Sequence, residues 1–123
     1  MKVFISQLMK DKTDEEILNE RSIIEDKVKF ILNNQYQNTE ISFIKSILDK
    51  KEIEEELSDE TGAIPTSSFS IYCLSESIKH LSKADIVVFS PNFYQGRGTM
   101  IEFEIASKYG KKILVLNDLK IRS

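Results

Sequence analysis

Asp85-Ile86-Val87-Val88-Phe89, closed by Ser90-Pro91-Asn92, is the stretch on which the fold turns. Its β-branched and aromatic residues form a strand with no polar face to offer to solvent, so both of its faces must be covered. Such strands occur in parallel sheets flanked by helices. Downstream, Phe93 to Gly98 reads as a glycine-bearing turn, and Thr99 to Tyr109 has a pattern compatible with a helix. Gly110 stands where a helix C-terminus favours glycine. Lys112 to Leu116 (KILVL) is then another apolar strand, ending at Asn117-Asp118. Upstream, Ile71, Leu74, Ile78 and Leu81 make a helical stripe behind the breakers Gly62 and Pro65, with Thr66-Ser67-Ser68 able to cap it.

The N-terminal half repeats the theme. Lys2 to Ile5 is a short apolar strand. Thr13-Asp14-Glu15-Glu16 has capping-box spacing. Behind it Ile17, Ile24, Val28 and Ile31, widened by Leu18 and Leu32, predict a helix from Asp14 to Asn33. Thr39 to Leu48 (TEISFIKSIL) alternates at Ile41, Phe43 and Lys45 and predicts a second strand. Asp49 to Glu60 carries seven acidic residues and two lysines among twelve, which suits a solvated helix or a loop equally. Strands apolar throughout, alternating with helices, imply right-handed crossovers and helices on both faces. The expectation is one doubly wound α/β domain, residues 1–123, with a four- or five-stranded parallel sheet.

Composition narrows the function. At 123 residues the chain fits one domain, and 41% apolar content supports a real core. Seventeen basic against 20 acidic residues leave no global positive field for nucleic acid. One cysteine, Cys73, excludes an internal disulfide, and with one histidine, His80, it leaves too few soft ligands for a zinc site. Cys73 reads as a small buried hydrophobe. His80, near a helix C-terminus, suits the dipole and receives no catalytic role. No apolar run approaches a membrane span or a signal peptide, so a cytoplasmic protein with no membrane partner is expected. No cofactor is expected either.

In a doubly wound sheet ligands bind beyond the carboxyl ends of the strands. That rule selects Ser6–Met9, Ser90–Gly98 and Asn117–Asp118. Gly96 and Gly98 let a backbone approach a ligand, and a helix starting at Thr99 turns unpaired N–H groups toward it. Glu102 then falls in the first helical turn near the strand ends. Glu104 lies about 200° around the helix, so the two carboxylates cannot share a target. The helix dipole alone accounts for an acidic residue in a first turn.

Lys2–Met9 (KVFISQLM), Leu74–Phe89 (LSESIKHLSKADIVVF) and Gly98–Ala106 (GTMIEFEIA) resemble the nucleoside 2-deoxyribosyltransferase-like superfamily, closest to its short phage and bacterial members. The resemblance runs from Met1 to about Leu116. Its most specific element is Gly98-Thr99, followed by Glu102 and Ala106. It implies a flavodoxin-like sheet, no metal, a homo-oligomer, and Glu102 as the nucleophile that attacks the anomeric carbon of a sugar. A retaining N-glycosidic cleavage needs such a carboxylate, together with a group to protonate the departing base.

The chain departs from the family in three places. The loop Ser90-Pro91-Asn92-Phe93-Tyr94-Gln95 holds no carboxylate, where the transferases carry acidic residues. Asp85 is at the far end of its strand, about 15 Å away at about 3.3 Å per residue. Position 104 is Glu in place of the usual glycine, and Leu8 replaces the proline of close relatives. Around Glu102, the expected ligand-binding set is Ser6, Gln7 and Met9 at the end of the first strand, Ser90 and Asn92, Phe93 and Tyr94 as stacking rings, Arg97 for a phosphate, and Gly98 and Thr99 at the helix start. Two functions fit: cleavage or transfer at the N-glycosidic bond of a nucleoside or nucleotide, or a module that senses or sequesters a nucleotide without turnover.

Overall fold

The computed structural model describes residues 1–44 and 66–119. Its elements are β1 (Lys2–Ser6), α1 (Asp14–Gln35), β2 (Ser42–Phe43), α2 (Thr66–Ser82), β3 (Ile86–Phe89), a 3-10 turn (Phe93–Gln95), α3 (Arg97–Lys108) and β4 (Lys112–Val115). The four strands form one parallel sheet in the order β2-β1-β3-β4. The chain winds outward from β1 to β2, then crosses back to β3 and continues to β4. This is a doubly wound, flavodoxin-like α/β arrangement, with its topological switch between β1 and β3.

Strand alternation divides the core. Val3, Ile5, Ile86 and Val88 face α1 and meet Ile24, Val28 and Leu32. Phe4, Val87 and Phe89 face the other way, onto Leu81, Ala84 and Ala106. The central strands are buried on both faces, as their composition requires, whereas β4 at the sheet edge is only partly covered.

The capping box forms at the start of α1. Glu16 N–H donates to the Thr13 hydroxyl at 3.1 Å, and Thr13 N–H donates to Glu16 Oε1 at 3.2 Å. Leu18 does not widen the buried stripe, being 56% exposed. It lies about 80° from the mean direction of Ile24, Val28 and Leu32, while Arg21 lies about 20° from that line and is buried. Gly110 follows α3 in the left-handed region at φ 75°, a conformation that glycine adopts without strain.

Two expected boundaries move. Strand pairing in the second strand is confined to Ser42–Phe43 among the described residues, held by Ser42 N–H to Met1 O and Ile44 N–H to Val3 O, both 2.9 Å. The rest of the expected strand and the acidic segment 49–60 lie outside the described residues. The last helix starts at Arg97 with Gly96 as its N-cap, two residues before Thr99.

The two leucines of α1 test its orientation. Leu32→Ala should cost about 2–5 kcal/mol in urea unfolding, as a cavity in a packed core does. Leu18→Ala should stay within about 0.5 kcal/mol. Equal costs at the two positions would contradict the helix face described.

Candidate functional site

The β1–β3 register pairs Ser6 with Phe89, so both strands end together. Ser90 N–H donates to Ser6 O at 3.1 Å, and Leu116 N–H donates to Phe89 O at 3.0 Å, which brings Ser6, Ser90 and Asn117 to one edge. The buried Ser90 hydroxyl accepts from Leu8 N–H at 2.9 Å and ties the two loops together across the switch point. Ser6 has the same strand parity as Phe4, which turns its side chain toward α3.

The buried residues of α3 are Thr99, Glu102 and Ala106, an i, i+3, i+7 stripe against the sheet. A carboxylate therefore occupies a position where helical spacing calls for an apolar side chain. Since α3 starts at Arg97, Glu102 is in the second turn, not the first, and no acidic residue sits in the first turn. The dipole effect fades within one turn, so it does not account for Glu102. Burial pushes the Glu102 carboxyl up to about 7, and the nearby Ser6 hydroxyl offsets part of that shift by favouring the charged form. The two groups approach without closing a hydrogen bond: Ser6 Oγ and Glu102 Oε2 are both shielded from solvent and unpartnered among the described residues. Gln7 Oε1 is in the same state, although Gln7 Nε2 donates to Ile17 O at 2.9 Å. Glu104 lies on the opposite side of the helix, where Lys108 Nζ donates to it at 2.7 Å and holds its carboxyl below the usual range.

The turn before α3 is closed by its own side chains. The Thr99 hydroxyl contacts Phe93 O and Gly96 O, the latter at 3.1 Å, and so is committed to the backbone. A Cβ at Gly96 would come within 2.6 Å of Thr99 Oγ1 and 2.8 Å of Leu8 Cδ1, so close approach demands glycine there. Gly98 has nothing within 4 Å of its would-be Cβ and faces open space. The Phe93 ring stacks on Phe103 at 4.8 Å and packs 5.1 Å from Phe89, turned under the loop. Tyr94 is exposed, and its hydroxyl donates to Asn92 Oδ1 at 3.2 Å. Met9, Asn92 and Arg97 are exposed as well.

The expected residues thus separate by position. Ser6, Gln7, Ser90 and Glu102 are buried at the strand ends, Phe93 and Thr99 support the turn, and Met9, Asn92, Tyr94, Arg97 and Gly98 lie at its surface. Two residues absent from the expected set are also placed here. Arg21 is buried, donates from Nη1 to Ile5 O at 3.4 Å, and has its pKa lowered by burial against the opposing pull of Glu25. Leu8 packs on Gly96. Only the position of Arg21 on the α1 stripe signalled its burial in advance.

Among the described residues no three His, Cys, Asp or Glu side chains gather as a metal site. An open concavity of about 550 Å³ lies at the amino end of the sheet, lined by Met1, Asp85, Lys111 and Lys112 among others, and contains none of the groups above. We place the site at the carboxyl edge, where the unpartnered polar atoms are. Compared with protein families, curated proteins and solved structures, the chain matches none.

The buried carboxyl makes stability depend on pH with a definite sign. Its folded pKa of about 7 lies above the ordinary 4.5, so between those values the folded state holds a proton that the unfolded state has lost. Stability is then full below about pH 4.5 and falls as pH rises through 7, by up to about 3 kcal/mol. Glu102→Gln removes this loss. The stability difference between wild type and variant, measured in urea at pH 5 and pH 8, should shift in favour of the variant at pH 8. A pH-independent difference would contradict a buried, raised carboxyl.

Proposed function

We propose that this chain binds a nucleoside or nucleotide at the β1–β3 carboxyl edge and cleaves or transfers at its N-glycosidic bond through Glu102. The observation that carries the reading is the carboxylate on the sheet-facing stripe of α3, beside an unpartnered Ser6 hydroxyl at the switch point. A group so costly to bury is better explained by chemistry than by stability. The resemblance to the deoxyribosyltransferase-like superfamily assigns the same residue.

In the first step a Glu102 oxygen bonds to the anomeric carbon as the C–N bond breaks, and that electron pair leaves with the base, which takes a proton from water. Water, or a second base, then attacks the same carbon and frees the carboxylate, giving net retention. A pKa near 7 leaves about half of the carboxyl ionised at neutral pH. Sugar hydroxyls donating to it favour the ionised form further. Ser6 Oγ is placed to orient the carboxylate or a sugar hydroxyl.

A second reading, binding without turnover by a sensing or sequestering module, is favoured by one feature: Ser90 to Gln95 offers no carboxylate to protonate the leaving base. Under either reading the exposed Arg97 would pair with a phosphate and the exposed Tyr94 would stack on a base. The proposal includes a cytoplasmic location and a homo-oligomer. Among the described residues no helix is long and apolar enough to cross a membrane.

Incubation with purine and pyrimidine (deoxy)nucleosides and nucleotides, followed by chromatography, tests the enzyme reading. Wild type should release free base from one of them, with kcat/KM rising as pH approaches 7 from below and levelling above it. Glu102→Gln should bind that ligand and leave it intact. Ligand returned intact by wild type selects the binding module. Wild-type turnover and affinity in the variant would contradict both readings.

A further inference from the structure

Gln7 stands one residue beyond Ser6, and its side chain turns the opposite way. Ser6 faces α3 and Glu102, whereas Gln7 faces α1, where Nε2 donates to Ile17 O at 2.9 Å. Reversing the amide would set two acceptor oxygens against each other with no proton between them, so the orientation is fixed. Oε1 therefore points away from the α1 carbonyl. It is shielded from solvent and has no donor among the described residues, in a residue only 5% exposed.

Native folds leave few such acceptors, because each loses its hydration and receives nothing in return. The amide oxygen adds nothing to the packing: a methionine would fill similar space. Its position gives it another use. Gln7 and Glu102 flank the end of β1 at the switch point, one on each face of the sheet, so a ligand seated over the strand end would have to engage both to satisfy them. The group that satisfies Gln7 Oε1 must be a donor, which excludes a phosphate or a bare carbonyl edge at this end of the site.

We propose that Gln7 determines base specificity, its Oε1 accepting an N–H from the heterocycle of a nucleoside whose sugar lies at Glu102. This inference rests on the nucleoside reading above and names the ligand class within it: a base that presents an N–H donor, as aminopurines and aminopyrimidines do. Sites built around one buried hydrogen bond reject an analogue lacking the donor far more strongly than pockets that read shape alone. The shielding of Oε1 sharpens this, because the acceptor has given up its water in the free chain already, and only a ligand that brings a donor restores a partner to it.

Two pairs of deoxyribosides isolate the donor: adenine against unsubstituted purine, and cytosine against pyrimidin-2-one. Each pair differs by one amino group. Titration calorimetry with the wild-type chain should show the amino-bearing member of at least one pair binding about 10- to 100-fold more tightly. Where a ligand is consumed, kcat/KM takes the place of Kd. In Gln7→Met the preference should collapse to within a few-fold, while the amino-free member binds at least as well as before. Equal binding within both pairs by wild type would overturn the assignment without recourse to any variant. So would a preference that survives unchanged in a folded Gln7→Met. Failure of wild type to bind any of the four, or any other nucleoside or nucleotide, would defeat the nucleoside reading itself.

Discussion

The parallel pairing of β1 with β3 is the constraint on which the other features depend. Both strands are buried on both faces, so their register has no freedom to slip without turning a core residue toward the wrong helix layer. Val3 opposite Ile86 and Ser6 opposite Phe89 fix where the two strands stop. The bond from Leu8 N–H to the Ser90 hydroxyl then holds the two following loops together at that stop. The switch point is a consequence of this pairing, because β1 and β3 send their connections to opposite sides of the sheet, α1 onto one face and α3 onto the other.

Onto that edge α3 brings a group that the core would otherwise refuse. Thr99, Glu102 and Ala106 share the sheet-facing stripe, and the middle position carries a carboxyl whose pKa burial raises to about 7. The protonation that lightens its burial near neutral pH also lowers its strength as a nucleophile. Under the proposed reading, a ligand that donates hydrogen bonds to it would reverse the balance, coupling binding to activation through one group. Gly96 allows the arrangement, since Leu8 and Thr99 both press on the space that a side chain there would need.

Much of the fold was legible in the sequence because the determining signals are local and strong. Ile86 to Phe89 could only be a doubly covered strand, Thr13 and Glu16 form the capping box their spacing announces, and Gly110 ends its helix in the left-handed region. The start of α3 was misread for a specific reason. Thr99 is a favoured cap residue, but its hydroxyl bonds backward to the Gly96 and Phe93 carbonyls from inside the helix, with Gly98 already in the first turn. That two-residue difference moves Glu102 out of reach of the dipole and changes what its presence means. Leu18 leaves the buried stripe of α1 and Arg21 joins it because the stripe is set by Ile24, Val28 and Leu32, and an arginine's stem can lie along it. Phe93 turns inward because Phe89 and Phe103 offer it a stacking site, a tertiary contact with no trace in local sequence. The unpartnered atoms of Ser6, Gln7 and Glu102 were likewise invisible, since residue type does not reveal whether a donor lies nearby.

The central claim is that Glu102 is a buried carboxyl held ready at the switch point. Direct titration of its side-chain carboxyl carbon by ¹³C NMR, assigned by comparison with Glu102→Gln, tests it without any ligand. A midpoint near 7, well above the ordinary 4.5, is the result this account predicts. A midpoint at or below 4.5 would mean that the group is solvated or ion-paired, and would contradict the account.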